Sequence, residues 1–381
     1  MDTTKPKLGT LESLRGLLAV WVLGAHVAGR SLLDSDIRAA HLAAITEPLL
    51  PVYVFMTLSG FVIFYLLDRE PQSYRTFLTR RFFRLVPLYL AVLGVVALSV
   101  SAQLHSLDSL PWQNRAVADS IKIHQETLNN FWPHLTAHVF LLHGLVPASW
   151  LPDSNFTFLS QGWSVSLEWQ FYLLAPLVFL FIRRRLYLFL AALVVGLAII
   201  QAAGIAGVGF LPNQLHYFVL GIASYYIFKS KLGIPGAGFL ADLLLLAVCG
   251  VAFLAVQTAW PVIIWLVVLY LITLQQRGKQ SPLSALALPF LEMASLQWLG
   301  RISYSVYLVH IPVLYAVFHF ISHFAPQLRN WQFLAASLPI TLIATIGISA
   351  LTYRWIEQPG IAWGRHLSKL HQHHNRERRR P

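Results

Sequence analysis

Hydrophobic runs of about twenty residues recur along almost the whole chain, and that repetition restricts it to one kind of fold. A run of that length crosses the hydrocarbon core of a bilayer as a helix, and only helices and closed barrels satisfy their backbone hydrogen bonds inside lipid. Ten such runs are expected as helices, at residues 11–30, 48–67, 82–102, 163–182, 186–206, 212–228, 238–256, 260–275, 296–320 and 333–357. The 381 residues are 56% hydrophobic and 12% charged, roughly half the charged fraction of a soluble domain. The expected fold class is therefore all-α, a polytopic integral membrane protein of about ten transmembrane helices. The formal net charge is +12. Its basic residues fall in short loops and the tail, where topology accounts for them, so no nucleic-acid partner is expected. The lone Cys249 lies in an apolar run, which excludes an intramolecular disulfide.

With the N-terminus in the cytoplasm, most basic clusters fall inside: Lys5 and Lys7, Arg69 to Arg84, Arg183 to Arg185, Lys229 and Lys231, Arg277 and Lys279, and Arg365 to Arg380. Only Arg30, Arg38, Arg115, Lys122 and Arg329 are left for outside loops. The bias suits an even number of spans and two cytoplasmic termini. Residues 1–360 are expected to form the transmembrane domain, and 361–381 a basic, disordered cytoplasmic tail in which His371, His373 and His374 gather. Residues 103–162 are expected outside. Their one apolar stretch, 134–147, carries His134, His138 and His143 and suits a re-entrant or interfacial segment. No internal repeat is visible.

Ionisable groups at membrane depth are costly and usually face a partner, a cavity or a substrate. Arg15 and His26 share the first run. Eleven positions is three helical turns plus roughly 20°, so both side chains point the same way, about 16 Å apart along the axis. A neutral imidazole there can accept a proton, or it can simply bond between helices. Arg81 and Arg84 in RRFFRLVPLY share one face at the start of a span. Two guanidiniums so placed suit a phosphate, or they enforce orientation. In GWSVSLEWQFY, Ser164 and Glu168 share a face, as do Glu168 and Tyr172. Glu168 could orient His26, bind a sugar hydroxyl or pair with an arginine. In LGRISYSVYLVHIP, Arg301, Ser303, Tyr304, Ser305, Tyr307 and His310 interrupt an apolar segment, and small hydroxyl residues also bond membrane helices together. Ser59–Gly60 is expected to serve close helix packing. No GxSxG elbow, HExxH motif or Gly-rich phosphate loop occurs.

Assembled in order, these pieces resemble the membrane acyltransferase-3 family: LESLRGLLAVWVLGAHV at 11–27, VFMTLSGFVIF at 54–64, RRFFRLVPLY at 80–89, GWSVSLEWQFYLLAPL at 162–177, LGRISYSVYLVHIPV at 299–313 and YRWIEQP at 353–359. The resemblance implies a multi-pass enzyme of the bacterial inner membrane. It would be an acyltransferase for groups other than amino-acyl groups, taking an acyl group, typically acetyl, from cytoplasmic acyl-CoA without a metal. The acceptor would be a hydroxyl of a carbohydrate or lipid-linked carbohydrate, such as O-antigen or exopolysaccharide. The family's arginine–histidine pattern falls on Arg15 and His26, its arginine pair on Arg81 and Arg84, and its acidic position on Glu168. On that footing Arg15, Arg81 and Arg84 would hold the coenzyme. His26 would act as general base or transient acyl carrier, Glu168 would assist it, and Ser164, Tyr304 and His310 would contact the acceptor. Some relatives carry a fused extracytoplasmic SGNH hydrolase-like domain. This chain is expected to lack one, so either it completes the transfer or a separate extracytoplasmic chain does. The competing class is a carrier for a sugar-lipid or small anion, in which the same buried charges would coordinate cargo.

Overall fold

The computed structural model describes residues 9–202, 207–230 and 259–377. These residues form helices α1 (Gly9–Ser31), α2 (Asp34–Ala39), α3 (Leu49–Arg69), α4 (Tyr74–Asp108), α5 (Arg115–Asn129), α6 (Phe131–Val139), α7 (Trp163–Arg183), α8 (Tyr187–Ala202) and α9 (Leu211–Lys229). There follow α10 (Trp260–Gln276), α11 (Pro282–Leu291), α12 (Ala294–Arg301), α13 (Ser303–Phe324), α14 (Trp331–Thr352), a π-helical turn (Tyr353–Glu357) and α15 (Gln358–Glu377). No strand occurs among the described residues. Six helical stretches there are long and apolar enough to cross a membrane, and Tyr187–Ala202, Trp260–Gln276 and Pro282–Leu291 are shorter apolar helices. The protein is an all-α polytopic membrane protein.

Nine of the ten expected segments coincide with helices; the tenth, 238–256, lies outside the described residues. Several boundaries are corrected. The segment expected at 296–320 is two helices that part at Ile302, and 333–357 ends in the π-helical turn. The stretch from 361, expected to be disordered, continues as helix to Glu377. Arg30, expected in an outside loop, belongs to the last turn of α1 and is buried. The 103–162 region is mostly the short helices α5 and α6 and tight turns, and it buries all three of its clustered histidines.

The chain forms two compact units, each assembled from separated stretches. One comprises Met1–Val22, Glu47–Tyr65 and His216–Tyr304; the other comprises Leu23–Thr46, Leu66–Leu215 and Ser305–Pro381. The first unit is held by close backbone approach, since lipid gives apolar helices little reason to associate through hydrophobicity alone. A side chain at Gly60 would run into the backbone of Phe218, and one at Gly221 into Thr57 and Phe61. The helices α3 and α9 therefore meet across their glycines, as expected for Ser59–Gly60. Gly300 packs in the same way on the Glu12 backbone of α1. Beside the glycine contact, the Phe61 ring meets Phe228 and Trp265 edge-on, and Trp265 Nε1 donates to Ser224 Oγ at 2.9 Å.

In the second unit, prolines shape the helices that carry the polar residues. Each lacks an N–H, so each bares the carbonyl four residues earlier. Pro87 in α4 bares the Phe83 carbonyl, and Gly360 packs directly against it, where any side chain would collide. Pro312 in α13 bares the Leu308 carbonyl, which Gln161 Nε2 fills at 2.8 Å. The end of α1 is clasped by the segment before α5. Trp112 Nε1 donates to the Arg30 carbonyl at 2.9 Å, and Asn114 Nδ2 donates to those of Gly29 (2.9 Å) and Leu32 (2.6 Å). These carbonyls end a helix and have no intrahelical donors of their own. Asn114 Oδ1 also caps α5 by accepting from Val117 N.

Candidate active site

The clasped end of α1 holds Arg30 one turn beyond His26. Arg30 Nη1 lies 2.9 Å from His26 Nδ1 and 3.4 Å from the His26 carbonyl, and its guanidinium rests 5.8 Å from the centre of the Tyr315 ring. The His26 ring stacks on that of His310, with centroids 5.3 Å apart and planes 30° apart. His310 is fully buried on α13. Its Nδ1 lies 2.7 Å from the Tyr307 carbonyl, and its Nε2 has no hydrogen-bond partner.

One turn earlier on α13, the Tyr307 hydroxyl lies 2.8 Å from Ser164 Oγ and donates to the Gln161 carbonyl at 3.1 Å. Gln161 itself reaches the carbonyl that Pro312 bares, so the proline and the glutamine lock the His310 turn to the start of α7. Farther along α7, one turn after Ser164, Glu168 accepts a hydrogen bond from Tyr172. The Arg81 guanidinium lies 5.6 Å from the ring centres of both Phe77 and Tyr172, and its Nε is buried without a hydrogen-bond partner. Arginine, tyrosine, carboxylate, serine and two imidazoles thus form one polar file within the second unit.

Arg84 is held differently. Its Nη1 lies 3.6 Å from Glu357 Oε1, and Glu357 Oε2 accepts from Ser305 Oγ at 2.8 Å. The wider π-helical turn places Glu357 at 1% exposure while Trp355, two residues earlier, is 66% exposed. Such bulges are rare and often mark functional positions.

The structure therefore brings together His26, Ser164, Glu168, Arg81 and His310. Arg84 lies in the same unit with a carboxylate partner. Arg15 and Tyr304 belong to the first unit; Arg15 has a buried Nε without a hydrogen-bond partner, and Tyr304 is buried. Sequence reasoning missed Arg30, Gln161 and Glu357, and it gave Tyr307 no role in the site. Pro312, two residues after His310, was the legible signal that a carbonyl there needed a donor, but nothing local named Gln161.

A second polar cluster, whose histidines lie outside the six long apolar helices, reaches Tyr89 of α4. His134 Nε2 is 3.3 Å from Glu126 Oε1, Thr157 Oγ1 is 3.1 Å from both His134 Nδ1 and His138 Nε2, and His138 Nδ1 is 2.8 Å from the Tyr89 hydroxyl. His138 and His143 stack with centroids 4.0 Å apart. Burial, and then the neighbouring His143 and His134, hold His138 well below the ordinary histidine range. Burial pushes His143 down to about 4, against the pull of the Gly162 and Ala137 backbone. Among the described residues no group of three or more His, Cys, Asp or Glu side chains is arranged to hold a metal ion.

The protein is a polytopic membrane acyltransferase: the acyltransferase-3 family, described as an acyltransferase domain, matches residues 8–354, and the chain belongs to it. The acyltransferase MdmB of Streptomyces mycarofaciens is 29% identical over 184 residues, which cover 47% of this chain and 41% of that relative. The match thus spans less than half of the relative's length. No solved structure matches.

Proposed function

We propose that the protein is a membrane O-acyltransferase that moves an acyl group, acetyl in the simplest case, from cytoplasmic acyl-CoA to a carbohydrate hydroxyl. One observation carries the reading: two imidazoles stacked 5.3 Å apart, one held by Arg30 and the other with an unpartnered nitrogen. Acyl transfer to a hydroxyl needs a proton acceptor for the nucleophile and a donor for the developing oxyanion. Two imidazoles can divide those tasks. Family membership supports the acyltransferase chemistry.

In this proposal both termini face the cytoplasm of a bacterium, the chain sits in the inner membrane, and the coenzyme enters on that side. Arg81 binds a coenzyme phosphate, with Arg84 adding to the cationic field. The thioester reaches His26 and His310, and Glu168 and Ser164 line the acceptor's approach. His26 takes part directly in transfer, either on the proton or as a transient acyl carrier. The acceptor is a surface-carbohydrate hydroxyl, delivered free, on a lipid, or through a separate extracytoplasmic chain.

The test is acyl transfer from radiolabelled acetyl-CoA in membranes containing wild type or His26→Ala, matched for folded protein. Label entering a carbohydrate fraction only with wild type is the expected result. Equal labelling with both would overturn the role of His26.

A further inference from the structure

We propose that the two histidines have fixed and opposite proton assignments: His310 accepts the nucleophile's proton, and His26 is a hydrogen-bond donor held in that state by Arg30. This rests on the acyl-transfer reading for its chemistry, but the proton assignments follow from the geometry alone.

A guanidinium has only donors and stays charged in proteins. Arg30 Nη1, 2.9 Å from His26 Nδ1, must therefore donate, and His26 Nδ1 must be the unprotonated acceptor. The His26 proton is then on Nε2. A second proton on His26 would have to occupy Nδ1, where it would face the N–H of Arg30 and set two cations side by side. No carboxylate lies within ion-pair distance of Arg30 among the described residues to relieve that repulsion. His26 is thus a poor proton acceptor while Arg30 is in place, and a good donor to an oxyanion.

For His310 the logic is reversed. A backbone carbonyl can only accept, so Nδ1, 2.7 Å from the Tyr307 carbonyl, carries the proton. The Nε2 lone pair is left over, in a fully buried side chain with no partner. A buried acceptor without a donor is costly unless something arrives to use it. A ligand hydroxyl is such a group. Arg30 is a positioning residue here, acting through His26.

The step balances without a further reactant. The acceptor hydroxyl gives its proton to His310 Nε2 as its oxygen bonds to the thioester carbonyl carbon. The resulting oxyanion is held by His26 Nε2–H. The carbon–sulfur bond then breaks, the proton on His310 passes to the departing sulfur, and the products are the ester and the coenzyme thiol.

The decisive experiment is nitrogen NMR of full-length protein labelled at histidine nitrogens, with each ring assigned by its single replacement. The expected spectrum has His26 protonated at Nε2 only and His310 at Nδ1 only. Arg30→Met should release His26 into a mixture of both forms, which a merely structural arginine would not do. A wild-type His26 protonated at Nδ1, or a His310 protonated at Nε2, overturns the proposal. Transfer kinetics give a second arm. His310→Asn keeps a donor near Nδ1 and loses the base, so kcat should fall by about 100-fold or more, in the range general bases supply. His26→Gln keeps an N–H and should fall by only about tenfold. The reverse order overturns the assignment. Absence of transfer in wild type would count against the acyltransferase reading instead, and the spectrum would still decide the proton positions.

Discussion

Arg84 meets Glu357 at 3.6 Å, and the carboxylate is buried while the arginine keeps about a quarter of its side chain exposed. The pair joins α4 to the π-helical turn, and Ser305 ties α13 to the same carboxylate. Removing one member of a buried pair strands the other charge. Glu357→Ala should therefore lower stability by about 3 kcal/mol, the lower end of that effect because Arg84 is partly wet. Replacing both, as Arg84→Met with Glu357→Leu, should restore much of it. Thermal unfolding in detergent for the two single variants and the double variant checks this.

Arg81 has no carboxylate oxygen within ion-pair distance among the described residues, and its Nε lacks a hydrogen-bond partner. If it receives a coenzyme phosphate, Arg81→Ala should raise KM for acyl-CoA by about tenfold or more, since charge-assisted hydrogen bonds contribute roughly 1.5–3 kcal/mol. Arg81→Lys should recover part of that. A KM unchanged in Arg81→Ala, measured in folded protein, would remove Arg81 from the coenzyme site.

At Gly221 an added methyl would meet backbone atoms of Thr57 and Phe61, which cannot swing aside as a side chain can. Gly221→Ala should destabilise the first unit by about 1–3 kcal/mol, as overpacking does. Gly94, with nothing within 4 Å of its would-be side chain, is the control. The comparison is of unfolding temperatures for Gly221→Ala and Gly94→Ala; equal shifts would count against glycine-mediated packing of α3 on α9.

His143 is neutral in the folded protein down to about pH 4, because burial lowers it that far. The unfolded chain takes up its proton near the ordinary histidine value of about 6.5. Between those two values the unfolded state binds more protons, so stability falls as the pH drops from about 6.5 towards 4. The contribution lost is about 3 kcal/mol across that window. His143→Gln should show a flatter decline. Unfolding temperatures of wild type and variant across pH 4–7 test the sign and the window.

Asn114 bonds two terminal carbonyls of α1 and caps α5. Asn114→Ala should cost about 1–2 kcal/mol of stability as a lost cap. It should also lower kcat, because the same clasp holds the turn that carries Arg30. Trp112→Phe, which keeps an aromatic ring of smaller size and loses one bond to the Arg30 carbonyl, should show a milder form of both effects. Steady-state kinetics alongside unfolding curves would separate them.

Most of the helical plan was legible in the sequence, because a run such as 48–67 meets the length and polarity that a bilayer demands whatever it packs against. Motif order was legible for the same local reason: Arg15 and His26, Arg81 and Arg84, Ser164 and Glu168 announce themselves by ionisable or hydroxyl groups set in apolar surroundings. Periodicity also placed Tyr172 beside Glu168 correctly, since neighbours one turn apart on a helix must meet. Partners far apart in the chain were not legible. Glu357 faces Arg84 only because a π-helical turn rotates it inward, and Gln161 reaches Leu308 only because Pro312 has removed a donor 151 residues away from it. The proton on His26 is a tertiary property as well. Arg30 was in plain view four residues on, yet it bonds His26 only because Trp112 and Asn114 keep α1 helical to its end. Hydrophobic length and helical period are properties of a segment alone and can be read from it. Which nitrogen carries a proton, and which cation is left for a ligand, depends on groups that folding alone brings within 3 or 4 Å.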